Sequence, residues 1–165
     1  MARQKISALI HLRNQHEALA LGRTLETLRP CDETLIIDHG AGEHAAQTAR
    51  EYGATLKPAI AGVDEGAYAI DCQHPWILCI MPTETLSEAL EATLLEWKEH
   101  EAPKEIVGYT VSVRESTSRG WHSVGRELRL VHRDRINWTH GCPAMAPNAA
   151  QLTGDLIRFR DSQDN

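Results

Sequence analysis

The chain has 165 residues, 42% of them hydrophobic and 24% charged, which suits one domain around one continuous core and argues against extended disorder. Acidic side chains outnumber basic ones by 23 to 17, giving a net charge of −6, so the summed field disfavours nucleic-acid binding. No apolar run approaches the ~20 residues that cross a bilayer, and no signal-peptide pattern opens the chain, so a cytoplasmic protein with no membrane-spanning segment is expected.

Ile6 to Leu12 is an almost continuous apolar run, the pattern of a strand buried on both faces of a parallel sheet. After the polar loop Arg13 to His16, Leu21, Leu25 and Leu28 recur at helical spacing until Pro30 stops the helix. Thr34 to Ile37 is a short strand that ends in Asp38-His39-Gly40-Ala41-Gly42. A helix beginning near Glu43 carries Ala45, Ala46, Ala49 and Tyr52 on one side, and Gly53 fits the left-handed residue that ends many helices. Ala54 to Pro58 reads as a third strand and Trp76 to Met81 as a fourth. Glu84 to Trp97 has the spacing of an amphipathic helix, with Thr83 or Thr85 as its cap.

The strand-helix alternation predicts a Rossmann-like α/β plan with a mainly parallel sheet over residues 1–100. Beyond Pro103 the pattern changes to strands, Ile106 to Val113 and Glu127 to His132, which predict a hairpin or a mixed β addition over 104–160. Gln151 to Phe159 fits a terminal helix or a strand. One domain covering 1–165 is expected, with the α/β part first and the β-rich part second.

Four fragments in order carry a resemblance: Ile6 to Ala54, Trp76 to Leu90 (WILCIMPTETLSEAL), Gly108 to Glu115 (GYTVSVRE) and Glu127 to Trp138 (ELRLVHRDRINW). Together they resemble the nucleotide-sugar-binding part of family 2 glycosyltransferases over roughly 130 residues. The resemblance implies a GT-A fold, a nucleotide or nucleotide-diphosphate sugar as ligand, and inverting transfer of a hexosyl group. It sets Asp38 against the nucleoside. In the first loop the spacing leaves two registers, with Asn14 and Glu17 as candidates for the nucleotide.

Three positions depart from the family pattern. Its Asp-x-Asp falls on Met81-Pro82-Thr83, so Thr83 offers only a hydroxyl toward the donor, and Mg²⁺ or Mn²⁺ would need Glu84 together with ligands from outside the motif. The Arg-Asn pair expected after Gly62 is not recognisable, and Asp64 and Glu65 bring negative charge instead. The family's general base falls on Gly125, which leaves Glu127 as the catalytic candidate; a salt bridge from Glu127 to Arg129 or Arg114 is its plainer role. Metal-independent charge stabilisation would fall to the basic cluster Arg126 to Arg135.

Other groupings point less far. Cys72-x-His74 and His140-x-Cys142, with His39 and His44, lack the tight paired spacing of structural zinc sites, and the four cysteines read as reduced thiols. Trp76 and Trp97 fit core periodicity, while Trp121 fits an exposed position. Two functions therefore stand side by side: a glycosyltransferase-like enzyme, and a catalytically inactive binding or interaction module. A protein partner or a second copy of the chain supplying a missing half-site is a third.

Overall fold

The computed structural model describes residues 4–138 and 146–159. Eight strands form a single sheet in the order β3-β2-β1-β4-β7-β6-β8-β5. They are β1 (Ile6–Leu12), β2 (Glu33–Asp38), β3 (Thr55–Pro58), β4 (Trp76–Cys79), β5 (Glu84–Leu86), β6 (Gly108–Thr117), β7 (Gly120–His132) and β8 (Ala149–Phe159). Four helices flank the sheet: α1 (Gln15–Glu26), α2 (Glu43–Glu51), α3 (Glu65–Ile70) and α4 (Glu88–Trp97).

The fold is α/β, as the alternation predicts. β1 runs parallel to β2 and β4, and β2 parallel to β3, so the first four strands form a parallel half-sheet with all their carboxyl ends on one edge. β7 joins β4 antiparallel and hairpins onto β6, which takes β8 parallel on its far side; this is the mixed β addition. The terminal segment that fitted helix or strand is strand β8, because both β6 and β5 hydrogen-bond to it.

Period-two alternation along β1 divides the interior between two faces. Ile6, Ala8, Ile10 and Leu12 face α1, α2 and α4, packing on Leu21, Leu25, Ala45, Ala49, Leu90 and Leu94. Leu9 faces the opposite way and joins Leu35, Ile37, Tyr68, Ile77, Leu128 and Val131 in a second cluster under α3. This two-faced burial explains why β1 and β4 carry almost no polar residues.

The helix expected from Glu84 starts later. Glu84–Leu86 is the short strand β5, registered against Arg158, Ile157 and Leu156 of β8. Ser87 caps α4 in place of Thr83 or Thr85, its Oγ accepting from Leu90 N at 3.2 Å and from Asp155 N at 3.1 Å. A non-local pairing thus overrides a locally helical pattern. The stretch after Gly62, where the Arg-Asn pair is not recognisable, contains the start of α3. Gly53 does take the left-handed conformation, at φ +69°.

Candidate functional site

At the carboxyl edge of the parallel half-sheet lies a cavity of ≈ 270 Å³. β1 and the segment after it contribute Leu9, His11, Arg13 and Glu17; β4 and the turn after it contribute Cys79, Ile80, Met81 and Pro82. Glu127, Arg129 and Trp138 close the far side. β1 and β4 are neighbours where the strand order turns from β3-β2-β1 to β4-β7, and open α/β sheets hold ligands at such a change of order.

The candidates of the first loop serve α1 itself. Asn14 is its N-cap, with Oδ1 accepting from Glu17 N at 2.9 Å, and Glu17 Oε1 reaches back to accept from Arg13 N at 2.6 Å. This reciprocal arrangement satisfies donors at the helix start. It also fixes the cavity rim, which Glu17 and Arg13 line.

Asp38 ends β2 and organises the loop that follows: its Oδ1 accepts from Gly40 N at 2.9 Å and Ala41 N at 2.7 Å. Its Oδ2 carries no hydrogen bond among the described residues. Thr83 is half-buried in the turn between β4 and β5, where its carbonyl accepts from Phe159 N at 3.0 Å; it is not a lining residue of the cavity. The buried hydroxyl of Thr24 holds that turn to α1, lying 2.7 Å from Pro82 O and 2.6 Å from Glu84 O.

Behind the cavity lies an ion network on which the site's electrostatics depend. Glu84 is wholly buried and Arg129 is 4% exposed. Two parallel bonds join them, Nη1 to Oε1 at 2.6 Å and Nη2 to Oε2 at 2.8 Å. Arg129 also donates to Cys79 O, and Arg158 approaches Glu84 Oε2 at 3.1 Å. Burial by itself would raise the Glu84 carboxyl, but the Arg129 hydrogen bonds and charge, the Met81 N–H and Arg158 together hold it below its ordinary value.

Glu127 is the outer carboxylate of the network, 3.2 Å from Arg129 and 3.4 Å from Arg158. Of the two partners expected for it, Arg129 holds it; Arg114 pairs with Asp155 at 3.1 Å.

This arrangement does not fit a hard divalent cation. Met81 presents a thioether, and both oxygens of Glu84 are spent on guanidinium groups, so the strand end offers Mg²⁺ or Mn²⁺ no free carboxylate. Among the described residues no group of three or more His, Cys, Asp or Glu side chains could hold a metal ion. Cys72 lies in the second core cluster, where burial pushes its thiol up to about 12; His140 and Cys142 lie outside the described residues.

The basic cluster of β7 is committed to the protein. Arg126 donates to Thr110 O and Leu152 O, Arg133 to the carbonyls of Ala69 and Ile70 in the last turn of α3 and of Cys72 just past it, and Arg135 to Lys104 O. Trp121 is exposed, with Arg114 over its ring, while Trp76 and Trp97 meet edge to face in the core.

No protein-family model and no curated protein sequence matches the chain. Three solved structures illustrate its similarity. A mycobacterial protein has a TM-score of 0.49 at 13% identity, covering 69% of this chain and 42% of that one. Glucosyl-3-phosphoglycerate synthase from Mycobacterium tuberculosis, in complex with Mn²⁺, uridine diphosphate and glucosyl-3-phosphoglycerate, has 0.46 at 15%, covering 70% and 46%. S. aureus TarS has 0.42 at 14%, covering 70% and 22%. The chain spans less than half the length of each.

Two features of the site were not singled out from sequence: the Glu84–Arg129 pair and a contact between His11 and His39. Each left a trace. Arg129 interrupts the apolar run Leu128 to Val131, and His11 interrupts Ile6 to Leu12, both at positions that strand periodicity turns inward. Trp138 rests on Gly66, where a Cβ would stand only 3.0 Å from the Trp138 Cβ.

Proposed function

We propose that the chain binds a nucleotide or nucleotide-diphosphate sugar in the cavity above β1 and β4, as a glycosyltransferase-like domain of the family 2 type, without a divalent cation. One observation carries the reading. The cavity lies at the carboxyl edge of the parallel strands, where such sheets hold ligands, and its lining comes from three of the four fragments that carry the family resemblance.

In this reading Leu9, Ile80, Met81 and Trp138 supply the apolar surface for a base or sugar ring. Asp38 keeps Oδ2 for a ribose hydroxyl, and Asn14 and Glu17 hold the first loop in place. Thr83 acts through the turn behind Met81 and Pro82. Glu127 is the residue facing the cavity from the acceptor side, and in an active enzyme it would take the proton of the attacking hydroxyl.

The inactive binding module is the second reading. The tie of Glu127 to Arg129 and Arg158, with both oxygens of Glu84 held by guanidinium groups, favours it. Incubation with uridine, guanosine and thymidine diphosphate sugars, with and without Mn²⁺, separates the two. Metal-independent release of nucleoside diphosphate that Glu127→Gln abolishes supports the enzyme. Binding without turnover supports the module.

A further inference from the structure

An anionic ligand in this cavity needs positive charge, yet Arg126, Arg129, Arg133 and Arg158 are all bound to the protein's own oxygens. A second reserve of charge stands at the carboxyl ends of β1 and β2. His11 Nδ1 and His39 Nε2 lie 3.0 Å apart. The ring centroids are 5.2 Å apart, which is the N···N distance plus about one ring radius on each side, so the two nitrogens face each other directly.

In the neutral couple one ring donates and the other accepts. One added proton turns that contact into a charge-assisted N–H⁺···N bond, whereas a second would set two cations face to face. We propose that this couple, in its singly protonated form, is an anion site for the phosphate groups of the bound nucleotide. The inference rests on the nucleotide-binding reading above.

The two rings stand in different surroundings. His11 lines the cavity, and Tyr68 of α3 packs edge-on against it. Desolvation, then the His39 charge, then Arg13 lower His11 to about 4. His39 is the exposed ring of the couple, and its Nε2 meets His11 Nδ1 at 3.0 Å. Other charges around the couple are Arg13 and Glu17 at the rim, Asp38 beside His39, Lys57 on β3 opposite Ile37, and Glu127 with Arg129 across the cavity. These signs nearly balance, so one imidazolium changes the local field from near neutral to cationic.

The proton comes from solvent, so phosphate binding and proton uptake are linked, and a one-unit upward shift of the couple on binding corresponds to a tenfold change in affinity. The test is calorimetric titration with UDP-glucose, GDP-mannose and dTDP-glucose, whose diphosphate diesters do not titrate between pH 5.5 and 7.5. Running each pH in two buffers of different ionisation enthalpy reads the protons taken up.

The expected result is about tenfold tighter binding at pH 5.5 with net proton uptake, both lost in His39→Gln and both absent with uridine, which has no phosphate. Equal affinity at the two pH values, a pH dependence that survives His39→Gln, or the same dependence with uridine would overturn the inference. If none of the three nucleotide sugars gives heat at either pH while circular dichroism shows folded protein, the nucleotide-binding reading fails, and this inference with it.

Discussion

Glu84 and Arg129 make the sharpest demand at the scale of single residues. Each neutralises a charge that the interior could not otherwise hold, so removing one partner strips the other of its two-bonded ion pair and leaves only Arg158 beside Glu84, or Glu127 beside Arg129. Glu84→Leu and Arg129→Met should each lower the unfolding free energy by about 3–5 kcal/mol in urea titrations. The double variant Glu84→Leu/Arg129→Met should lose less than the sum, because its apolar pair leaves no orphaned charge. Equal and additive losses would show that the pair is not coupled. His11 gives a separate acid signature. The unfolded chain takes up a proton at His11 from about pH 6.5 downward, and the folded chain only near 4. Stability should therefore fall as pH drops through that window, visible as a decreasing Tm, and His11→Gln should flatten the slope there. Glu84 acts at lower pH: its carboxyl is held below the ordinary value, so its contribution is lost only as pH falls beneath the normal carboxylate range.

Among the elements, the β5–α4 junction determines how the turn behind the cavity is held. Ser87 stops β5, caps α4 and accepts from β8 with one hydroxyl. Ser87→Ala should cost about 1 kcal/mol by loss of the cap alone, measurable by chemical denaturation. Gly154 of β8 approaches the same helix start so closely that a Cβ would fall 2.5 Å from Leu90 N, at a φ of +103°. Gly154→Ala must displace either β8 or α4, and its melting temperature should fall further than that of Ser87→Ala. The same junction shows where sequence reading stops. β1 was legible to its end residues because burial on both faces leaves an almost uninterrupted apolar run, and Gly53 marks its helix end by local chemistry, whereas Asn14, read as a loop residue for the nucleotide, is the N-cap of α1. β5 was not, because Glu84 to Leu86 becomes a strand only through pairing with Leu156 to Arg158, some seventy positions away. Likewise, the spacing of Asn14, Glu17 and Asp38 locates the loops at the sheet edge but not what their side chains bind, which is largely backbone.

At the level of the whole molecule, the parallel half-sheet provides the crevice and the antiparallel addition provides its far wall. β7 carries both functions: its last residues pair with β4, and the residues just before them place Glu127 and Arg129 against the cavity. The Glu84–Arg129 pair joins β5 to β7 at the strand end where the resemblance expects a metal. The proposed function requires this cavity to hold a nucleotide with no divalent cation. Calorimetric titration of the chain with uridine, guanosine and thymidine diphosphates, each with and without Mn²⁺, checks this. One-site binding of at least one of them is expected, with the same affinity whether Mn²⁺ or EDTA is present. No heat with any of the three, or binding that appears only when Mn²⁺ is added, would contradict it.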